Sequence, residues 1–347
     1  MTVAVAELVC RVRVHRLNEE SLDAAFSRPF QQSQEESATL ADIIRPVTND
    51  RIAYELRPGL QGIPFKGAPL STDSRGFRSP EHPPEPGPST VTIVGIGDSI
   101  QFGHGVGDGE NYLDQLVVLL NERHPEVTWR HVNTAVPGYN TVMEVETLER
   151  KGLVFQPDLV LQGVCGNDYD PPVNVRDVDD VYDLSRSFFA EFLAERASGE
   201  SATARRAREA ISHRGTWSEE SGSEAPPRYA ELYGEAPFES ALDRLAELSS
   251  TSGFEVLSFA TVDYANTPEM MASCARRGFE TVHLQGLLEE HYQTTRGEPF
   301  SWEGYTTSDL VVSPQNLHPS VLQHRMAAEL LHSTLEESGW IERMKAR

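Results

Sequence analysis

The chain has 347 residues, of which 39% are hydrophobic and 24% are charged, a composition typical of a folded globular protein. Its formal net charge of −23 argues against nucleic acid or an anionic membrane surface as a partner, because both require positive charge. The three cysteines, Cys10, Cys165 and Cys274, have neither a disulfide framework nor the spacing of a structural zinc site. We therefore expect a reducing, cytoplasmic environment.

The N-terminal stretch lacks the basic start, long apolar centre and small-residue cleavage site of a signal peptide, and no run approaches 18 apolar residues. We therefore expect no contact with a membrane. Residues 3–14 alternate in a way that suggests a strand, and residues 50–80 suggest short strands and turns. Residues 80–89 contain five prolines, which exclude a regular element and indicate a linker. These features predict an N-terminal extension over residues 1–88 and a main domain over residues 89–347.

The main domain opens with an apolar run, Val91–Ile96, which predicts a short buried strand. A sharp turn follows at Gly97-Asp98-Ser99, and we expect a helix that starts nearby and continues through Tyr112–Leu120. Open α/β sheets bind their ligands at the carboxyl ends of parallel strands, so Ser99 is a candidate nucleophile. The alternative is that Ser99 is only a turn residue or helix cap.

Two further strand–turn–helix units follow. Residues 127–132 predict a strand that leads into the turn 133–140 and a helix over 141–153. Residues 158–164 predict a third strand, which ends at Cys165-Gly166-Asn167-Asp168. Three such units in succession imply parallel strands joined by crossover helices, and therefore an α/β fold.

Residues 170–235 change in character, since they are charged and rich in Ala, Arg, Glu and Ser. We interpret them as a helical and loop insertion with a solvated face, which could cap the site. Within it we expect helices over 184–196 and 203–211 and a loop over 215–228. The alternation of helices and strands then resumes, with helices at 239–249, 268–277 and 320–338 and strands at 254–260 and 280–284.

The turns after the three predicted strands should meet at one edge of the sheet. They supply a hydroxyl (Ser99), a glycine whose N–H can face a ligand (Gly138) and a carboxamide (Asn167). His318 adds an imidazole, on a loop before the final helix. Acyl transfer needs these parts: a nucleophile, a base that takes its proton, and donors aimed at the developing oxyanion.

These residues resemble the sequence blocks of the SGNH (GDSL-type) hydrolases. The matching blocks are Gly97-Asp98-Ser99, Asn133 through Pro137-Gly138, Asn167-Asp168 and His318-Pro319, in the order of the family. Residues 51–77 also resemble the N-terminal extension of a bacterial subgroup. The resemblance implies a flavodoxin-like three-layer α/β/α sandwich with a central parallel sheet, with the N-terminal extension and the helical insertion added to it.

The resemblance also implies a role for each residue. Ser99 would attack the carbonyl and His318 would act as the general base, with no metal or cofactor. The backbone N–H groups of Ser99 and Gly138 and the side chain of Asn167 would form the oxyanion hole. Asp98 and Asp168 would organise their turns.

The sequence departs from the family at the acid that usually precedes the histidine. Gln315 and Asn316 occupy those positions. An amide oxygen can fix the tautomer of His318, but it lacks the charge that stabilises the imidazolium. The chain is then a dyad-type enzyme, an enzyme whose acid lies elsewhere, with Asp309 as a candidate, or a weakened catalyst. Cys165 replaces a common glycine and is either a reactive thiol near the site or a small buried hydrophobe.

Three hypotheses for the function remain at this point. The first is a serine hydrolase that acts on a small-molecule ester or thioester through an acyl-Ser99 intermediate. The second is an acyltransferase, in which a hydroxyl or amine intercepts the same intermediate. The third is a binding protein for acyl compounds or esters that retains the pocket with weakened catalysis. The sequence predicts neither the acyl and alcohol parts of the substrate nor the oligomeric state.

Overall fold

The computed structural model describes residues 3–26, 37–47, 51–173, 184–198 and 229–346. The N-terminal part of the chain forms two helices and two small antiparallel hairpins. In chain order these are α1 (Val3–Phe26), α2 (Leu40–Ile43), the pair β1 (Ile44–Pro46) and β2 (Tyr54–Leu56), and the pair β3 (Ile63–Phe65) and β4 (Ala68–Leu70).

The strand expected over residues 3–14 is wrong, because these residues form the first half of α1. Alternating valines and arginines suggested a strand, but the segment also holds good helix formers. Glu7 and Arg11 form an ion pair of 2.9 Å one helical turn apart. The Glu7 carboxylate also accepts hydrogen bonds from the backbone N–H groups of Phe188 and Phe189. The helix is therefore stabilised both by its own side chains and by its contact with residues 188–189.

The remaining chain alternates helices and strands. Its elements are β5 (Thr90–Ile96), α3 (Ser99–Phe102), α4 (Tyr112–Arg123), β6 (Thr128–Asn133), α5 (Thr141–Thr147), β7 (Leu159–Gly163), α6 (Phe188–Ser198), α7 (Glu235–Ser252), β8 (Glu255–Ala260), α8 (Thr267–Arg276), β9 (Glu280–His283), α9 (Leu284–Arg296), β10 (Val311–Ser313), β11 (Asn316–Pro319), α10 (Val321–Glu337) and α11 (Trp340–Lys345). A π-helical turn and a 3₁₀ turn extend α5 to Phe155, so the helix expected over 141–153 is confirmed in outline.

Five parallel strands form the central sheet, in the order β6-β5-β7-β8-β9. In its middle, Val94 of β5 pairs with Val132 of β6 and with Val160 of β7. This is the flavodoxin-like order, and helices cover both faces of the sheet, so the expected three-layer α/β/α fold is confirmed. The point at which the strand order reverses lies beside β5, whose carboxyl end carries Ser99.

Two hydrophobic clusters hold helices against the two faces of the sheet. One joins α4, α9, α10 and α11 to the sheet through buried residues that include Leu116, Leu288, Leu331 and Trp340. The other joins α5, α7 and α8 to the opposite face, and it also contains Tyr54, Phe65 and Phe77 from the N-terminal part of the chain. The N-terminal hairpins therefore contribute side chains to the same core as the sheet.

The helix that follows Ser99 is shorter than expected. It ends after Phe102 because Gly103 adopts a left-handed φ of 84°. A new helix, α4, begins only at Tyr112, where the side chain of Asn111 accepts hydrogen bonds from the backbone of Leu113 and Asp114. The intervening loop, residues 103–111, crosses the edge of the sheet where β5 ends.

Candidate active site

The turn at the end of β5 presents Ser99 at the start of α3. Asp98 is the N-cap of this helix, and its carboxylate accepts a hydrogen bond of 2.9 Å from the N–H of Ile100. Gly97 has to be a glycine, because a Cβ there would lie 2.5 Å from the Cβ of Gln101. The local sequence thus fixes the hydroxyl of Ser99 at the carboxyl edge of the sheet.

His318 reaches Ser99 from the other end of the chain. Its Nε2 lies 2.9 Å from the Oγ of Ser99, and its Nδ1 lies 2.7 Å from the Oδ1 of Asn316. Because an amide oxygen can only accept, Nδ1 carries the hydrogen and Nε2 is free to accept from the serine. The Ser99 hydroxyl has a second acceptor in Asp98, at 3.3 Å, which is the longer of the two contacts.

The position of His318 differs from the expected loop, because it lies on β11, the second strand of an antiparallel hairpin with β10. Asn316 starts the same strand, so the two side chains point to one side, two residues apart. The Nδ2 of Asn316 packs above Gly105, where a Cβ would come within 2.8 Å. Backbone geometry therefore holds the amide against the imidazole.

The other two candidate partners of His318 lie elsewhere. Gln315 lines the same cleft from the turn of the hairpin, but within the described part of the chain it makes no hydrogen bond to His318. Asp309 forms an ion pair of 2.5 Å with Arg296 and accepts a hydrogen bond of 3.0 Å from the hydroxyl of Tyr292. Of the three residues singled out in the sequence, Asn316 alone bonds the imidazole.

The expected oxyanion donors follow the ends of β5, β6 and β7. Ser99 and Asn167 line one cleft, and among the described residues neither the backbone N–H of Ser99 nor the side-chain amide of Asn167 donates a hydrogen bond. Gly138 is half-buried beside this cleft rather than in its lining, with a φ of 79° that favours glycine. A Cβ there would lie 2.6 Å from Val173 and 2.8 Å from the hydroxyl of Tyr54.

A second histidine, His104, packs its ring against that of His318. Its ring centroid lies 4.0 Å from that of His318, with 32° between the planes. Burial, with help from His318 and Lys66, lowers the pKa of His104 to about 3, so its ring is neutral at physiological pH. The edge of His104 meets the ring of Phe65, at a centroid distance of 5.1 Å. His318 is therefore backed by an uncharged aromatic stack.

The environment of His318 favours its neutral form. Burial lowers the pKa of His318, the Asp98 carboxylate acts in the opposite direction, and the Lys66 ammonium adds to the lowering. A neutral imidazole is what a general base needs before the reaction. The depressed pKa keeps that form available at mildly acidic pH.

Behind the turns that carry Ser99 and Asn167 lies a group of buried carboxyls, Asp98, Glu144 and Asp168. The Asp168 side chain accepts a hydrogen bond of 3.1 Å from the N–H of Cys165, so it does organise its turn. Burial, followed by repulsion from neighbouring carboxylates, raises the pKa of both Glu144 and Asp168 well above the ordinary range: Asp98 acts on both, and Asp168 acts on Glu144. Both shifts favour the protonated, uncharged forms of these side chains.

Cys165 is buried within this group. Burial and the neighbouring carboxylates raise the pKa of its thiol well above the ordinary value. A thiol with a raised pKa remains protonated and is a poor nucleophile. Of the two interpretations of Cys165, the small buried hydrophobe is the one that this environment favours.

Together these residues line a cleft of about 740 Å³. Apolar and aromatic side chains form part of its wall, among them Val262, Tyr264, Tyr305 and Leu317. Gly166 lets the ring of Tyr264 approach closely, since a Cβ at that position would lie 2.7 Å from it. The cleft has the size and mixed lining of a small-molecule site.

Two residues of the cleft, Lys66 and His104, are not predicted by the sequence. His104 follows Ser99 by five residues but belongs to no block that we could recognise. Lys66 belongs to the N-terminal hairpin, and nothing in its local sequence indicates that this hairpin reaches the site. Both contacts depend on how distant segments pack.

The helical insertion is described only in part. The expected helix over 184–196 is confirmed as α6, which begins at Phe188 and packs against α1. The expected helix over 203–211 and loop over 215–228 lie outside the described residues. Asp170, at the start of the insertion, lines the cleft. A cap formed by residues 170–235 therefore stays a prediction.

Within the described residues, three side chains of the kinds that can bind a metal ion lie close together: His124, His332 and Glu336. It lies at the far end of α4, away from Ser99. The Nε2 atoms of the two histidines are 3.2 Å apart, and Arg123 lies 3.5 Å from the Nδ1 of His332. The Glu336 carboxylate also lies 3.4 Å from the Nδ1 of His332 and 3.7 Å from the Nε2 of His124. The two histidines, Arg123 and Glu336 therefore form one polar cluster.

Comparisons with known proteins give matches among solved structures only. No protein-family model matches the chain, and no curated protein does. The structure is similar to a crystal structure of TesA at 15% identity, over 71% of this chain and 98% of that chain, with a TM-score of 0.35. It is similar to the lipase/acylhydrolase from Enterococcus faecalis at 14% identity, over 72% and 96% of the two chains, with a TM-score of 0.39.

A third similar structure is the acetyl xylan esterase AlAXEase, at 11% identity, over 71% of this chain and all of that chain, with a TM-score of 0.40. No helix among the described residues is both long enough and apolar enough to traverse a bilayer.

Proposed function

We propose that this chain is a serine hydrolase of the SGNH type, which cleaves a carboxylic ester or thioester through an acyl-Ser99 intermediate. The observation that carries the proposal is the continuous chain of contacts from Ser99 Oγ to His318 Nε2, at 2.9 Å, and from His318 Nδ1 to Asn316 Oδ1, at 2.7 Å. Nucleophile, base and orienting group are within hydrogen-bond reach of one another, as covalent catalysis requires.

In the first step, His318 takes the proton of Ser99 as the serine oxygen bonds to the substrate carbonyl carbon. The imidazolium then returns the proton to the leaving oxygen or sulfur, and the acyl-enzyme remains. In the second half of the reaction water attacks the acyl carbon while His318 takes its proton; the acyl–Ser99 bond then breaks, the imidazolium returns the proton to the Ser99 oxygen, and the carboxylic acid is released. Asn316 accepts the Nδ1–H throughout and keeps the tautomer correct.

Negative charge develops on the carbonyl oxygen in both halves. The Ser99 N–H and the Asn167 side-chain amide face the cleft without an acceptor among the described residues, which supports their role as donors to this oxyanion. The Gly138 N–H, which has no acceptor there either, is the third donor that we propose. Each such donor is worth roughly 2.7–4 kcal/mol of transition-state stabilisation.

Labelling with a fluorophosphonate, followed by intact mass measurement, tests the proposal. The reagent should add one phosphonyl group to the wild-type chain and none to Ser99→Ala, while His318→Ala should react far more slowly. Hydrolysis of 4-nitrophenyl butyrate should fall by more than about a thousandfold in Ser99→Ala.

The control is Ser240→Ala, an exposed position on α7 whose hydroxyl only bonds the preceding helical turn. It should label and hydrolyse like the wild type. A folded wild-type chain that neither labels nor hydrolyses any ester would leave only a binding role. If added alcohols divert the acyl group into new esters faster than water does, the chain is an acyltransferase with the same nucleophile.

A further inference from the structure

The hairpin of β3 and β4 carries a lysine at its tip. Phe65 and Ala68 are paired, so Lys66 and Gly67 form a two-residue turn, with φ angles of 52° and 93°. Such turns favour Asn, Asp and Gly, because both central residues have positive φ. Lysine is unusual in this conformation, which directs attention to what its side chain does.

Several contacts fix this hairpin beside the active site. The ring of Phe65 lies edge-on to Phe102 and to His104, at centroid distances of 6.0 and 5.1 Å. The backbone N–H of Lys66 donates a hydrogen bond of 2.8 Å to the hydroxyl of Ser37. From this anchored turn Lys66 lines the cleft together with Ser99 and His318.

Lys66 also stands out by its charge. The chain has three lysines and 53 acidic residues. Lys151 pairs with Glu55 at 3.0 Å, and Lys345 pairs with Glu126 at 2.6 Å. Within the part of the chain that the structure describes, no carboxylate comes within 4.0 Å of the Lys66 ammonium, and no arginine lines the cleft. In this acidic protein, the Lys66 ammonium therefore has no carboxylate partner among the described residues, and it lies in the cleft that contains Ser99.

The position of Lys66 indicates which part of a substrate it meets. Lys66 follows Phe65, whose ring meets His104, and His104 stacks on His318, so Lys66 lies on the side of the cleft from which the proton returns to the leaving group. Asn167 and Asp170, whose N–H donates a hydrogen bond of 2.8 Å to the Asn167 carbonyl, also line the cleft. A negative charge on the alcohol part, which receives the proton of His318, would therefore approach Lys66, whereas one near Asp170 would be repelled.

The geometry points to Lys66 as a specificity-determining residue that binds an anionic group, a carboxylate or phosphate, on the alcohol part of the ester. This inference rests on the proposed hydrolase function and adds a substrate class to it. The N-terminal hairpin thereby forms part of the substrate site.

A matched pair of chromogenic esters tests the inference. 3-Butyryloxy-4-nitrobenzoate has an anionic leaving group, and 2-nitrophenyl butyrate is its neutral counterpart. The ratio of kcat/KM for the anionic over the neutral ester should fall roughly three- to tenfold in Lys66→Met and further in Lys66→Glu. Lys66→Arg should retain most of the ratio. Comparing ratios between variants cancels the different reactivities of the two leaving groups.

Lys345→Met is the control, because it changes the net charge equally at a site remote from the cleft. Its ratio should match that of the wild type. The inference is overturned if Lys66→Met leaves the ratio unchanged or if Lys345→Met lowers it as much. It is also overturned if the Lys66 dependence occurs only with mono-4-nitrophenyl succinate, whose anion is on the acyl part. Ser99-dependent hydrolysis without any Lys66 effect leaves the proposed function intact, whereas absence of Ser99-dependent hydrolysis removes both.

Discussion

The side chain of Asn316 gives His318 a partner that orients the ring without adding charge. Its Oδ1 accepts the Nδ1–H at 2.7 Å, which fixes the tautomer as a carboxylate would. A carboxylate would also stabilise the imidazolium that forms in each half-reaction, and an amide does so only weakly. Among the described residues, the carboxylate that raises the pKa of His318, and so favours its imidazolium, is that of Asp98, the neighbour of Ser99.

The first prediction concerns this amide. Asn316→Asp should preserve or raise kcat, and it should move the acidic limb of the pH–rate profile to higher pH, because a carboxylate raises the pKa of His318. In the wild type that limb should have its midpoint below 6.5, because the pKa of His318 is lowered. Asn316→Ala should lower kcat by roughly tenfold, the value of one hydrogen bond. The measurement is kcat against pH for a neutral ester.

Asp309→Asn provides the comparison for this experiment. Asp309 is paired with Arg296 and does not touch His318, so its variant should keep the wild-type pH profile. Equal kcat in the wild type and both Asn316 variants would remove Asn316 from the mechanism.

At the scale of elements, the loop that follows the nucleophile depends on an arginine from the N-terminal part of the chain. The buried guanidinium of Arg78 donates hydrogen bonds to the backbone carbonyls of Phe102, Gly103 and Val106, at 3.0, 2.6 and 2.6 Å. This loop carries His104, which stacks on His318, and Gly105, on which Asn316 packs. Without the guanidinium, the carbonyls of Phe102 and Val106 would lose this partner, and that of Gly103 would keep only the 3.3 Å hydrogen bond from the N–H of Val106.

We therefore expect Arg78→Met to affect stability and catalysis together. Loss of the guanidinium removes a hydrogen bond from each of the three carbonyls and leaves an emptied buried site, which should lower the free energy of unfolding by about 3–5 kcal/mol. The rate of fluorophosphonate labelling should also fall, because the loop no longer holds His318 in line with Ser99. Urea unfolding and labelling rates at a temperature where the variant is folded give the two quantities.

Arg75→Met is the matched variant, three residues earlier in the same segment. Arg75 is more exposed than Arg78, and it makes an ion pair of 3.5 Å with Glu81, one hydrogen bond of 3.4 Å to the carbonyl of His82 and a contact with the face of Phe155. Its loss should change the unfolding free energy by no more than about 1 kcal/mol. Equal effects of the two substitutions would show that the carbonyl contacts are not what holds the loop.

At the scale of the whole molecule, residues on the two sides of the proline-rich segment 80–89 are buried in one common hydrophobic core. Tyr54, Phe65 and Phe77 are buried in the same cluster as Val94 and Phe155. Tyr54 also donates a hydrogen bond of 2.8 Å to the carbonyl of Pro137, in the turn that carries Gly138. The first part of the chain thus fills the core and supports the proposed oxyanion loop.

A fragment of residues 89–347 should therefore fail to fold alone. It would expose the face that Tyr54, Phe65 and Phe77 cover, at roughly 1.5–3 kcal/mol for each large apolar side chain. Circular dichroism should show no cooperative thermal transition, and Ser99 should not label. Deletion of residues 1–26 is the control and should leave a folded chain, because among the described side chains of α1 only Ala6 and Val14 are buried. A cooperative, labelled 89–347 fragment would contradict this prediction.

The sequence by itself determined the elements whose causes are local. Apolar runs followed by turn residues predicted β5, β6 and β7, and their order predicted the parallel sheet and the edge where Ser99 and Asn167 lie. The strand predicted from alternation was wrong at α1. Valines and arginines alternate there, but the segment also contains good helix formers. The helix expected to run from near Ser99 through Leu120 is interrupted at Gly103. The left-handed φ of Gly103 is evident only in the structure.

Only the tertiary structure decided which side chains complete the site. In the folded chain Asn316 bonds His318, whereas Gln315 and Asp309 do not. Packing also places Lys66 and His104 in the same cleft as His318. Ser99 and His318 are 219 residues apart in sequence, and the contact between them exists because the hairpin of β10 and β11 packs against α3 at the carboxyl edge of the sheet, where β5 ends. Distances between side chains from separate elements follow from how the elements pack. Local propensity and spacing, which are all that a single sequence displays, do not contain that information.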